Sequence, residues 1–392
     1  MMNRKTTAAQ VHELMQDFAG LTGLDPPGAH PQRYLWTDAF AVCNYLGLFQ
    51  ETGNVTYREL ALRLVDQVHQ TLGRHRAEDP RTGWISGLSQ PEGELHPTVG
   101  GLRIGKTLPE RGINESYNEQ SEWEQDGQYY HYLTKWMHAL NRVSRVTGNP
   151  DYGWWAIELA RTAHARFTYL PPSGRSKKMY WKMSIDLTRP LVPSMGQHDP
   201  VDGLVTYNEL QSTAAKDFRQ GVQPALEQEM ADMIDILRGM RMATDDPLGI
   251  GGLLSDASRI IQMSIRDDPL YAGLLETLLD SALIGLKSYA EAGSLELPAR
   301  YRLAFREFGL SIGLAGVEKM PDWIAKKPDF SGRAGSLHQR VQALKEYVPM
   351  REKIELFWLD GKNRVSGTWT QHRLINTVMF ATSLAPDGFL GI

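Results

Sequence analysis

One stretch of this chain repeats another. Thr52-Gly53-Asn54, followed by Tyr57, Ala61, Leu64 and His69, recurs as Thr147-Gly148-Asn149, followed by Tyr152, Ala156, Leu159 and His164, at one constant offset. In each copy an aromatic-rich, apolar helical stretch runs into the Thr-Gly-Asn turn, and an amphipathic helix follows it. The repeating unit is therefore a helical hairpin. A lone hairpin cannot bury its apolar face, whereas a ring of hairpins can, and a closed ring leaves a central cavity suited to a ligand.

The rest of the chain extends the pattern. Helical periodicity predicts twelve helices, at about 7–22, 34–51, 56–73, 127–146, 151–168, 204–216, 223–242, 249–264, 270–291, 300–315, 336–350 and 369–384. The stretches beginning at 34, 127, 249, 300 and 369 carry few charges, as helices covered on all sides do. Alternating stretches such as RELALRLVDQVHQTLG keep a charged face. The expectation is all-α: an (α/α)6 toroid of six hairpins with inner and outer helix rings, forming a single domain over 1–392. Long connections are expected at about 74–126, 169–203 and 316–335, on the side where inner helices begin. Helix N-termini converge there, and their unpaired N–H groups favour oxygen-rich ligands.

Composition narrows the function classes. The 392 residues are 42% hydrophobic and 22% charged, with a net charge of −4, so no cationic excess favours nucleic acid. Cys43 is the only cysteine, which excludes an internal disulfide and a thiolate-cluster metal site. The first twenty residues have no signal-peptide core, and no run is long enough to cross a membrane. A cytoplasmic protein with no membrane partner, no metal and no cofactor is expected.

With its Thr-Gly-Asn turns and segments such as YLWTDAFAVCNYLGLFQETG and DGQYYHYLTKWMHALNRVSRVTGNPDY, the chain resembles the six-hairpin glycosidase-like (α/α)6 superfamily. It is also similar, distantly, to the N-acylglucosamine 2-epimerase and cellobiose epimerase family, which shares that toroid. The resemblance covers nearly the whole chain as architecture and is specific over about 34–168. It implies a carbohydrate-active enzyme acting on a mono- or oligosaccharide. Fold alone does not assign the reaction.

The densest chemistry lies over 84–132. Trp84, Trp123, Tyr129 and Tyr130 supply aromatic faces for a pyranose, and Glu124, Arg103, Lys106 and Arg111 supply charged groups for its hydroxyls or for a carboxylated or phosphorylated substituent. Most of the glutamates here read better as solvated residues, with Glu115, Glu119 and Glu122 expected as surface residues or N-terminal helix caps. Asp126 precedes an apolar inner helix, where an N-cap role and a catalytic role are compatible. At the repeat offset Tyr34 matches Tyr129 and Trp36 matches His131. Asp38 shares a helical face with Tyr34, and an acidic group there is either functional or paired to Arg33. Asp202 and His198 open the third hairpin, where Asp199 reads as turn chemistry. Trp369 and His372 open the last hairpin, where the epimerase resemblance implies a histidine base. Gly249, Gly251 and Gly252 read as close-packing positions, and His69 and His164 as structural.

Two mechanisms follow, and a third reading has none. A glycoside hydrolase would use two carboxyl groups, Asp126 with Asp38 or Asp202. An epimerase or isomerase would use histidine acid and base groups, from His131, His198 and His372. The third is a non-catalytic sugar- or peptide-binding toroid; a terpene-cyclase-like barrel is weakened because Asp245-Asp246 and Asp267-Asp268, each followed by proline, read as turns and not as a DDxxD-type cluster.

Overall fold

The structure, a computed structural model, describes residues 4–172, 174, 176–217, 226–263, 269–326 and 334–392. It is all-α apart from two small antiparallel sheets. In chain order the helices are α1 (Arg4–Leu21), α2 (Leu35–Thr52), α3 (Val55–Leu72), α4 (Gln90–Leu95), α5 (Glu119–Glu124), α6 (Tyr130–Thr147), α7 (Pro150–Phe167), α8 (Asp199–Asp217) and α9 (Glu227–Leu237). They continue as α10 (Pro247–Gln262), α11 (Pro269–Glu291), α12 (Ala304–Ala325), α13 (Ala334–Lys345), α14 (Pro349–Leu359), α15 (Gly367–Thr370), α16 (Arg373–Leu384) and α17 (Asp387–Leu390). The chain forms two compact units, one of Ala19–Met240 and one of Met1–Phe18 with Arg241–Ile392.

The Thr-Gly-Asn repeat is a helix stop and a helix start compressed into three residues. Thr52 Oγ1 donates to Leu48 O at 2.7 Å and accepts from Asn54 N at 3.2 Å, and Thr147 does the same with Val143 O and Asn149 N at 2.7 and 3.2 Å. Gly53 and Gly148 adopt left-handed φ of 70° and 71°, which a side chain would strain. Asn54 and Asn149 then cap the next helix, accepting from Thr56 N at 3.1 Å and Asp151 N at 3.0 Å. Both hairpins therefore turn by the same chemistry.

In the 19–240 unit, α2, α6 and α8 pack in succession, each with its partner α3, α7 or α9. Helix α2 is buried at every position from Leu35 to Leu46, as its low charge foretells. His69 accepts from Trp136 Nε1 at 3.2 Å, and His164 pairs with Asp232 at 2.9 Å, so both repeat histidines tie helices together. In the other unit α10 packs on α11 and α12, and α12 also packs on α13, α14 and α16. A β-carbon at Gly251 would meet Gly309 O at 2.0 Å, so that glycine permits the close approach of α10 and α12.

Several boundaries differ from expectation. Helix α12 runs to Ala325 through Pro321, so a loop does not begin at 316. The part of that connection over 327–333 lies outside the described residues, as do Asp267 and Asp268, which the sequence suggests form a turn. The expected helix at 336–350 is two helices, α13 and α14, and the one at 369–384 is α15 followed by α16. Helix α8 begins at Asp199, which puts Asp199 and Asp202 in its first turn. Helix α6 begins at Tyr130, after the strand β1 (Gln128–Tyr129), so Tyr129 stands at the N-cap and Asp126 caps nothing there.

Candidate active site

The 74–126 connection is anchored by Asp126, whose residue is 0% exposed. Arg103 Nη1 donates to its Oδ2 at 2.6 Å and Arg76 Nη1 at 3.3 Å, while the backbone N–H groups of Gly105 and Lys106 reach Oδ1 at 3.0 and 3.3 Å. Arg103 spends its other donors on Arg74 O and Thr71 O, both at 2.7 Å. Asp126 and Arg103 are thus a buried staple in the loop, with no side left for a substrate. Asp38 is closed in a similar way: Arg33 lies 3.4 Å from Oδ1, and Tyr34 N donates to Oδ2 at 2.9 Å. Burial raises its pKa to about 6 even against the lowering effect of Arg33. Both carboxyl groups expected from the sequence as a hydrolytic pair are therefore buried and hydrogen-bonded within the chain.

Other expected sugar contacts are also core. Trp84 is buried under the Arg74 guanidinium, 4.5 Å from its ring, and packs so tightly on Gly93 that a β-carbon there would meet its ring at 2.2 Å. Tyr130 points between helices, against Phe167, and donates to Tyr207 Oη at 2.8 Å. Trp369 is buried among Trp358, Phe308 and Phe380. Each of the three is buried.

What does converge is an aromatic wall at the starts of α2 and α6. Tyr34 and Tyr132 share a 2.6 Å hydroxyl contact, and Trp36 lies against Phe40 and Tyr132. Tyr129 touches Tyr132, His131 and Trp181, with ring centroids 5.2, 5.3 and 5.6 Å away. The residues just before β4 (Lys182–Met183), which pairs with β1, present Trp181 there. His131 stacks with Trp181 at 24° and 6.2 Å. Helix α5 adds Trp123, 43% exposed and edge-on to Trp181 at 5.2 Å. Helix α5 is held by the buried Lys182, whose ammonium donates to Glu122 O at 2.6 Å and Gln125 O at 2.8 Å and pairs with Glu122 Oε1 at 2.9 Å. Sequence pattern carries no signal for Lys182, because its role depends on a strand of two residues.

At one end of the wall stand two groups able to exchange protons. His131 Nδ1 lies 3.7 Å from Asp199 Oδ1, and both Nδ1 and Asp199 Oδ2 are shut in without a hydrogen-bond partner. About 30% of the histidine side chain remains open. Burial lowers the His131 pKa to about 4, with Asp202 opposing and Lys135 adding to the shift. Burial, reinforced by Asp202, raises that of Asp199 to about 8. Near pH 7 the pair is accordingly a neutral imidazole beside a neutral carboxyl group. Asp202 is engaged elsewhere, by Lys135 Nζ at 2.7 Å and by the Thr134 hydroxyl. Asp199, which reads from sequence as a turn residue, is the group that pattern alone does not single out; the Asp-Pro pair at 199–200 marks a helix start, and that signal was legible.

At the far end of the wall Lys106 Nζ lies 5.6 Å above the Tyr34 ring, with its pKa lowered by burial. Glu124 is exposed nearby and acts electrostatically on both Lys106 and Tyr34. Of the three cations marked for an anionic substituent, Arg103 is spent on Asp126, and Arg111 on Glu122 Oε2 at 2.7 Å and on Leu191 O at 2.9 Å. A separate groove of about 860 Å3 lies between the 76–81, 109–113 and 184–190 segments. Its Arg81 is matched by Asp79, Glu110 and Asp186 at 2.8 to 2.9 Å. His198 is half-buried just before α8, and His372 stands at the N-cap of α16 with its ring 5.6 Å from Phe305.

Among the described residues no group of three or more His, Cys, Asp or Glu side chains is placed to hold a metal ion, and no helix is long and apolar enough to cross a membrane. No protein-family model matches the chain, and no curated protein matches it. Among solved structures the chain is similar to cellobiose 2-epimerase from Spirochaeta thermophila DSM 6192, with 11% identity, a TM-score of 0.47, and coverage of 96% of this chain and 98% of that one.

Proposed function

We propose that this chain is a carbohydrate-active enzyme of the epimerase or isomerase kind, moving a proton at a carbon beside a sugar carbonyl with His131 as the base. The observation that carries the reading is the neutral His131–Asp199 pair at the end of an aromatic wall. A sugar lies with its C–H face on Tyr132, Trp181 and Trp123, the partly exposed rings of the wall, which removes apolar area from water on both partners. Asp199 Oδ1 lies on the Nδ1 side of the ring, which leaves Nε2 as the nitrogen for the sugar. Nε2 takes the carbon-bound proton, leaving an enediolate, and returns it to the neighbouring carbon while the hydroxyl proton passes to the former carbonyl oxygen, which isomerises the sugar; inversion at the same carbon requires a proton delivered to the opposite face. Asp199 Oδ1 stands on the Nδ1 side of the imidazolium formed in that step.

A hydrolase reading needs two carboxyl groups on opposite sides of a glycosidic oxygen. Asp126 and Asp38 are closed by arginines, and Asp202 by Lys135. Lys106 is the cation we assign to a substrate oxygen. The test is incubation with a panel of reducing mono- and disaccharides, with products followed by NMR. Interconversion of sugars with glycosidic bonds intact is expected. Release of monosaccharides, lost in Asp202→Asn, would replace this reading with hydrolysis, and binding without turnover would replace it with a carbohydrate-binding protein.

A further inference from the structure

His131 and Lys135 stand one helical turn apart on α6, and Asp199 and Asp202 one turn apart on α8, so the two helices face each other with two pairs of titratable groups in register. The outer pair is His131–Asp199 at 3.7 Å and the deeper one is Lys135–Asp202 at 2.7 Å. The deeper pair is largely withdrawn from water, with side chains 18% and 7% exposed, so its charges act at short range and are poorly screened. Thr134 donates to the second oxygen of Asp202, which fixes that carboxylate between the two helices.

We propose that Lys135 is the counter-charge that keeps Asp202 from acting on the His131–Asp199 pair, and is thereby a positioning residue for that centre. This role rests on the reading of His131 and Asp199 as the reacting pair. The groups facing His131 are few in kind. From its own helix come Lys135 and Tyr132, from β1 Tyr129, from the segment before β4 Trp181, and from α8 Asp199 and Asp202. Burial pushes the Tyr129 hydroxyl further above its ordinary phenol value, so that ring brings no charge to His131 near pH 7. Of the charged groups, Asp202 favours the protonated imidazole and Lys135 disfavours it. Asp202 also holds the proton on Asp199 while Lys135 opposes it, so one lysine biases both members of the pair in the same direction.

The experiment is an NMR titration of the full-length protein carrying histidine labelled at the Cε1 carbon, with the His131 signal assigned by its loss in His131→Gln. In Lys135→Met the His131 midpoint is expected to rise by about one pH unit, because the lysine charge that opposes Asp202 is removed. Lys135→Arg keeps the charge and should leave the midpoint where it is. Asp202→Asn provides an independent arm should Lys135→Met fail to fold, and should lower the midpoint. A midpoint unmoved by Lys135→Met or by Asp202→Asn overturns the proposal. The titration needs no substrate: a shifted midpoint in a protein inactive on every sugar would sink only the functional reading, and an unmoved midpoint in an active enzyme would sink only the role of Lys135.

Discussion

Arg103 Nη1 lies 2.6 Å from Asp126 Oδ2, and the two residues close each other off from solvent. This pair ties the end of the 74–126 connection to its middle. Asp126→Asn should therefore destabilise the protein, by about 3 to 5 kcal/mol, because the arginine is left buried without its counter-charge. Urea denaturation checks this, and a variant with wild-type stability would contradict the staple.

The architecture was legible because its signals are local. Thr-Gly-Asn states a helix stop and a helix start within three residues, and the low charge of 34–51 states that α2 is covered on every side. The roles of acidic and aromatic residues were less legible because tertiary partners decide them. Nothing near Asp126 in sequence announces that Arg103, in the same long loop, will close on it. Aromatic composition likewise could not tell Trp181, on the wall, from Trp369, in the core. His131 and Tyr129, which lie together on the wall, sit at a helix start matched by the repeat.

Stability should report the buried proton on Asp199. Its pKa is raised in the folded state from 3.8 to about 8, so the folded protein holds more protons than the unfolded chain between those values. That contribution is fully present below the unfolded pKa and is lost as pH rises through about 8. His131 acts in the opposite sense, since its lowered pKa makes stability rise with pH between about 4 and the ordinary histidine value. Asp199→Asn should thus gain stability relative to the parent as pH is raised from about 4 to about 9, by an amount on the order of a few kcal/mol. Thermal melts of both proteins across that range provide the check, and a constant difference between them would refute it.

Close packing of α10 on α12 should be intolerant of a methyl group at Gly251. The β-carbon would fall 2.0 Å from Gly309 O and 2.7 Å from Leu310 N, both backbone atoms that cannot swing aside. Gly251→Ala should cost about 1 to 3 kcal/mol through helix displacement, whereas Gly252→Ala, with nothing near its β-carbon, should not. Equal melting temperatures for the two variants would contradict the packing.

Deuterium uptake at the carbon beside the carbonyl of a reducing sugar, incubated with the protein in D2O, reads the proposed proton transfer itself. Transfer through His131 predicts enzyme-dependent exchange that falls by about a hundredfold or more in His131→Gln. It also predicts exchange retained in Asp38→Asn, once folding of that variant is confirmed by its melt. Exchange at the wild-type rate in His131→Gln would contradict His131 as the base.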